Sequence, residues 1–182
     1  MKIHIHTFDL FHYLLVIPYK EINYSNKKFY PRIPSKWQLI LTNEGSFTQI
    51  IKNLSGYKIN IRVVEKKTRT INNVHKNIRC VWLENSIYTK YLFARSIWLF
   101  KYLDNINCNI EGNLPIGNSL INSQTDIYKH IHEIYYGYSK NLEKKFRICK
   151  PIWGRKYTLY YKNKSFITIQ EFFSPLIINF FS

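Results

Sequence analysis

The chain has 182 residues, 46% of them hydrophobic, which fits one domain with a single core, and its apolar runs are too short for a transmembrane segment to be expected. Its formal charge is +16, with 11 acidic residues against 27 Lys and Arg, so an anionic partner is favoured, whether nucleic acid or a small carboxylate. Cys80, Cys108 and Cys149 lie far apart, lack C-x-x-C spacing and cannot all pair, which argues against a disulfide scaffold and for a reducing compartment.

In chain order, the apolar run Leu10 to Ile17 reads as a buried element, followed over residues 18–35 by an irregular connection containing Pro18, Pro31 and Pro34. Ser35 starts a short helix through Leu41. Ser46-Phe47-Thr48-Gln49 has the form of a capping box opening a helix to about Leu54, which Ser55-Gly56 ends. Residues 58–66, 78–84 and 90–98 are rich in β-branched and aromatic side chains and predict antiparallel strands. With Asp126 as N-cap and Gly137 as a stop, Ile127 to Tyr135 predicts a second helical region. Strands 155–161 and 166–173, joined by the turn Lys162-Asn163-Lys164-Ser165, complete the chain. This order predicts an α+β fold, an antiparallel β-sheet with helices packed on it. One domain, 1–182, is expected, with residues 1–35 as an N-terminal extension.

Basic residues are scattered in short runs such as Lys66-Lys67-Thr68-Arg69, which favours a solvated surface over a nucleic-acid tract. The abundance of Ile, Asn, Lys, Tyr and Phe matches the low-GC coding of organelle genomes. A lone acid in an apolar stretch is more informative. If 166–173 is a strand, Glu171 shares a face with Ile167, Ile169 and Phe173 and points toward a core, where a carboxylate needs a cation or a hydrogen-bond donor. Three strand arginines offer themselves: Arg79 beside Val81 and Leu83, Arg95 beside Phe93 and Ile97, and Arg155 beside Tyr157 and Leu159. Either they form a structural Arg-Glu cluster or solvated faces, or they line an interior pocket with surplus positive charge, suited to a ligand carrying one or more carboxylates.

Other constellations are weaker. Gly112 to Asn118 is a glycine–proline loop that can turn backbone N–H groups toward an anion. His130, His132 and Glu133 invite a metal reading, but i and i+2 diverge on a helix, and His4 and His6 have no further ligand beside them. No metal is expected. Tyr157-Thr158-Leu159-Tyr160-Tyr161-Lys162 interleaves aromatic and basic residues as base-stacking sheets do, and cross-strand packing explains it equally.

Read in order, Leu41-Thr42-Asn43-Glu44-Gly45-Ser46-Phe47-Thr48, Ile78-Arg79-Cys80-Val81-Trp82-Leu83, Phe93-Ala94-Arg95-Ser96, Leu114-Pro115-Ile116-Gly117, Gly154-Arg155-Lys156 and Gln170-Glu171-Phe172-Phe173-Ser174-Pro175 resemble the chorismate lyase (chorismate pyruvate-lyase) family, in its plastid and cyanobacterial branch, from about residue 36 to the end. The resemblance implies an antiparallel sheet with helices and an internal ligand site closed by helical flaps. It implies conversion of chorismate to 4-hydroxybenzoate and pyruvate without metal or organic cofactor. By motif position, Arg79 is the expected carboxylate-binding arginine, Glu171 the acidic partner of the ring hydroxyl, and Phe47 and Ile116 line the ligand. Arg95 and Arg155 match less specifically and are secondary site residues. The expected partner is the small-molecule substrate chorismate, with no nucleic acid, and the protein is expected to be a monomer. The expected setting is the plastid, with the gene in the organelle and the product feeding a prenylated quinone such as plastoquinone. Two alternatives are a non-catalytic aromatic-carboxylate-binding module of the same fold, as in transcription regulators, and an organellar RNA-binding protein.

Overall fold

A computed structural model of the protein describes residues 11–18, 20, 33–71, 74–85, 89–99, 127–161 and 164–181. Its elements are strand β1 (His12–Pro18), helices α1 (Ser35–Leu41) and α2 (Phe47–Ser55), strands β2 (Ile59–Ile71), β3 (Val74–Asn85), β4 (Lys90–Leu99) and β5 (Ile127–Tyr138), helix α3 (Lys140–Phe146), and strands β6 (Ile152–Tyr161) and β7 (Lys164–Phe173). A 3₁₀ helix over Pro175–Phe181 follows. The strands form one antiparallel sheet in the order β1-β5-β6-β7-β4-β3-β2. It is an α+β fold made of two meanders, β2-β3-β4 and β5-β6-β7, joined where β4 pairs with β7 and extended by β1 along β5.

The expected helix over 127–135 is instead strand β5, paired with β1 on one side and β6 on the other. Ile127, Tyr128, Ile131, Ile134 and Tyr135 are β-branched or aromatic residues that suit a pleated surface. The helical look of the sequence has a local cause. A bulge between Ile131 and Glu133 inserts a residue, so Ile131 and Ile134, three apart, face the same side and imitate a 3.6-residue period. Nor is Gly137 a helix stop. A Cβ there would meet the His12 carbonyl oxygen at 2.1 Å, so glycine lets β1 approach β5.

Ser46 does stand at the N-cap of α2, but its side chain makes no cap hydrogen bond, and Gln49 donates to Asn53 Oδ1 instead, at 2.9 Å. The other end is as expected: Gly56, with φ 67°, closes the helix in the left-handed region. Helix α3 was not read from the sequence, although Ser139 Oγ accepts from Leu142 N and Glu143 Oε1 accepts from Ser139 N, a reciprocal cap.

The sheet packs apolar side chains on both faces. On one, α1, α2 and the 3₁₀ helix set Trp37, Ile40, Leu41, Phe47, Ile51 and Ile177 against Leu83, Leu92, Trp153 and Phe173. Phe47 meets Phe173 edge-on at 5.0 Å, a geometry that contributes about 1 kcal/mol beyond burial. On the other face, Leu142 and Phe146 of α3 join Trp82, Phe93, Tyr135 and Phe172.

The Tyr135 ring lies flat against Gly154, where a Cβ would come within 2.1 Å of ring carbon Cε2 and 2.6 Å of the Glu171 carbonyl oxygen. Its hydroxyl donates to the carbonyls of Arg155 at 3.0 Å and Glu171 at 3.1 Å, clamping β6 to β7 from behind. Gly154→Ala should therefore destabilise the protein by about 3 kcal/mol in denaturant titrations. An unchanged midpoint would mean that Tyr135 is not held there.

Candidate active site

Alternation along β6 and β7 brings Arg155, Tyr157, Ile169 and Glu171 to the face covered by α1 and α2. Arg155 stands opposite Glu171 in register. Its Nε donates to Glu171 Oε2 at 2.7 Å, and both side chains are buried, that of Arg155 with 0% exposure. Tyr157 donates its hydroxyl to the second carboxylate oxygen, Oε1, at 3.0 Å. Burial, reinforced by the Glu171 charge, pushes the Tyr157 pKa well above that of a free phenol, which keeps the hydroxyl a donor.

Arg155 also faces the chain preceding Phe47. Its Nη1 donates to the carbonyls of Ile40 at 3.0 Å, Leu41 at 3.2 Å and Asn43 at 2.8 Å. These lie at the C-terminal end of α1, where carbonyls lack intrahelical partners and the helix dipole attracts a cation. Its Nη2 is buried and meets no acceptor among the described residues.

A further cation comes from β5. Lys129 stands opposite Leu159, on the Arg155 face, and its Nζ donates to the Gly45 carbonyl at 2.9 Å. It lies 4.8 Å from the Tyr157 ring centroid, while the Arg155 Cζ lies 5.2 Å from the same centroid. Burial first, then the Arg155 charge, lower the Lys129 ammonium pKa to about 8, against the pull of Glu171 and Glu44.

Arg79 reaches this face from β3. In register it is opposite Ser96, Ser96 is opposite Ile169, and Ile169 is opposite Tyr157. Arg79 is buried, and desolvation lowers its pKa from the ordinary arginine value. Midway along β4, between Leu92 and Trp98, this face carries the small side chains of Ala94 and Ser96, a floor between β3 and β7 two strand spacings wide, about 10 Å. Phe47, at the first turn of α2, is buried against Phe173 at one edge.

The six residues expected from the sequence therefore separate. Arg79, Arg155, Glu171 and Phe47 lie on one face. Arg95 does not join them: it pairs with Cys80 and Gln170, whose side chains occupy the opposite face, so its place in the same pocket is corrected by strand parity. Ile116 lies outside the described residues, as do the Gly112–Asn118 loop, His4 and His6. Lys129 was missed because a helical reading of 127–135 assigned it no face. Tyr157, read as packing or a base-stacking platform, is a buried donor to Glu171. His130 and His132 lie on a strand with ring centroids 4.9 Å apart, and His132 Nε2 hydrogen-bonds Thr158 Oγ1 at 2.7 Å. No group of three metal-ligating side chains occurs among the described residues. Cys80, next to Arg79 but on the reverse face, donates to Glu65 Oε2 at 3.5 Å, and burial with the Glu65 contact raises its thiol pKa to about 12.

Residues 41–181 match the family described as chorismate pyruvate-lyase Rv2949c-like. The chain belongs to that family. It is 45% identical over 156 residues to the ycf21 protein of Antithamnion sp., covering 86% of this chain and 87% of the relative. The ycf21 protein of Porphyra purpurea is 39% identical, with 81% and 86% covered. Among solved structures, the effector domain of PhnF from Mycobacterium smegmatis superposes with a TM-score of 0.52 at 8% identity, over 74% of this chain and 91% of that one. The SA0254 gene product of Staphylococcus aureus gives 0.51 at 12% identity, over 63% and 82%. These two likenesses show the fold. No helix among the described residues is long and apolar enough to cross a membrane.

In this member of the lyase family, Glu171 is held by protein donors on both oxygens, so it is part of the scaffold as well as a candidate ligand contact. Arg155→Met strands its carboxylate in the interior and should cost about 3–5 kcal/mol, measured by chemical denaturation. The double replacement Arg155→Met with Glu171→Leu should recover a large part of that loss. Equal stability of the single variant and the wild type would show that the pair is solvated in solution.

Proposed function

We propose that this protein is a chorismate pyruvate-lyase, converting chorismate to 4-hydroxybenzoate and pyruvate. The observation that supports this reading best is that three cations, Arg79, Lys129 and Arg155, share the sheet face that carries the buried carboxylate of Glu171. Positive charge in excess of that carboxylate suits a ligand such as chorismate, which carries two carboxylates. Family membership points the same way.

The reaction is redox-neutral. The C–O bond to the enolpyruvyl oxygen breaks with its electron pair leaving on that oxygen, the adjacent ring carbon bearing the hydroxyl loses its proton, and the ring becomes aromatic. The leaving enolate takes up a proton at its methylene carbon and departs as pyruvate. Aromatisation supplies driving force, so the protein's work is to hold a reactive pose and to stabilise charge on the departing oxygen. Arg79 binds the ring carboxylate. Glu171 keeps lone pairs beyond those taken by Arg155 and Tyr157, and with them accepts the ring hydroxyl. Arg155 Nη2, with no acceptor among the described residues, faces the developing negative charge.

The same fold serves as an effector domain in PhnF, so a module that binds an aromatic carboxylate without turning it over is the second reading. The RNA reading loses its platform, because Tyr157 and Leu159 are interior residues. The ycf21 relatives in red algae and in Cyanophora paradoxa support a plastid setting, in which the product is the aromatic precursor of a prenylated quinone such as plastoquinone.

Incubation of purified protein with chorismate should release 4-hydroxybenzoate and pyruvate in equal amounts, and Arg79→Ala should lower kcat/KM by about 100-fold with the fold retained. Binding of 4-hydroxybenzoate without product formation from chorismate would select the module instead. Full activity in Arg79→Ala would remove Arg79 from the site.

A further inference from the structure

We propose that Lys129 is a specificity-determining residue that reads a second carboxylate, so that the site discriminates dianionic ligands from monoanionic ones. The inference rests on the lyase reading above, in which the substrate carries a ring carboxylate and an enolpyruvyl carboxylate while the aromatic product keeps only the first.

Arg79 and Lys129 belong to opposite sides of the floor. The register runs from Arg79 through Ser96, Ile169 and Tyr157 to Ile131, and Lys129 is two residues along from Ile131. That is four strand spacings, roughly 19 Å between backbones, which a ring bearing two carboxylates bridges with less extension of either side chain than a single carboxylate requires. Around Lys129 the arrangement is short of acceptors. Among the described residues its hydrogen-bond partner is the neutral Gly45 carbonyl. Arg155 flanks the same Tyr157 ring and carries a buried Nη2 with no acceptor. Glu171 is already bonded by Arg155 Nε and by Tyr157. A carboxylate entering here replaces a carbonyl on Lys129, supplies the missing acceptor to Arg155 and relieves repulsion between the two cations.

Lys129 is also placed to sense the ligand through the chain that covers the site. Gly45 lies in the turn between α1 and α2, to which Arg155 is tied through Asn43, so both cations hold this turn against the sheet. A purely structural Lys129 would fasten the turn for every ligand alike, which separates the two roles experimentally.

The test is calorimetric titration of wild type, Lys129→Met and Lys129→Arg with 4-hydroxybenzoate as the monoanion and with 3-(carboxymethoxy)-4-hydroxybenzoate as an unreactive dianion, at fixed ionic strength. Lys129→Met should weaken the dianion at least about tenfold and the monoanion less than about threefold, and Lys129→Arg should restore most of the difference. The groups facing Lys129 are Arg155 and Tyr157 on β6, Glu171 on β7 and Glu44 in the α1–α2 turn. Burial and the Arg155 charge bring the Lys129 pKa down to about 8, so dianion affinity should fall as pH rises through that value, where the ammonium loses its charge. Lys129→Arg should be flat over the same range. Equal weakening of both ligands in Lys129→Met would overturn the proposal, as would a wild type with no preference for the dianion. Failure of the lyase reading looks different: the dianion preference and its dependence on Lys129 persist, but chorismate is not consumed.

Discussion

Arg155 brings a full positive charge into the interior, where desolvation costs several kcal/mol, and the structure around it is arranged to offset that cost. Glu171 supplies a countercharge at 2.7 Å, and three carbonyls at the end of α1 supply the remaining acceptors for Nη1. The helix is thereby oriented with its negative end toward the sheet. That orientation sets the course of the α1–α2 turn and brings Phe47 onto Phe173. Hydrophobic burial explains why α1 and α2 lie on this face. It does not explain why the end of α1 is directed at one guanidinium, which the carbonyl bonds do.

An apolar pair at 155 and 171 would pack the same space at no electrostatic cost, and such exchanges often leave a protein equally or more stable. What the ionic pair adds is polarity with unused capacity: lone pairs on Glu171 and an Arg155 Nη2 that meets no acceptor among the described residues. The orientation of the pair is held by Tyr157 in front and by Tyr135 behind. Pre-set dipoles of this kind stabilise developing charge without having to reorganise during the reaction.

Much of this was legible where alternation is regular. Glu171 on an apolar strand face, and Arg155 and Arg79 on matching faces, follow from a period of two. Arg95 shows the limit of that reasoning, because alternation tells which neighbours on its own strand share a face and says nothing about which face of the sheet that is. Only the pairing of β4 with β3 and β7 decides it. Lys129 failed for a different reason. The bulge at His132 turned a strand pattern into a helical one, and a single inserted residue concealed both the element and the side chain it aims at the site. The capping bonds of Arg155 were out of reach as well, since they join residues separated by more than a hundred positions.

The sheet order also decides how the candidate site is assembled. Arg79 belongs to the β2-β3-β4 meander, whereas Arg155, Glu171 and Lys129 belong to β5-β6-β7, and the two join where β4 pairs with β7. Each meander forms through local hairpins, but the seam between Leu92–Trp98 and Ile167–Phe173 closes a long loop of chain, the slowest and entropically most expensive kind of contact. The face that carries Arg79 together with Arg155, Glu171 and Lys129 is therefore a property of the docked halves and exists in neither one alone. Arg79 and Glu171 stand on opposite sides of the seam, so any ligand bound to both would favour the docked state by mass action.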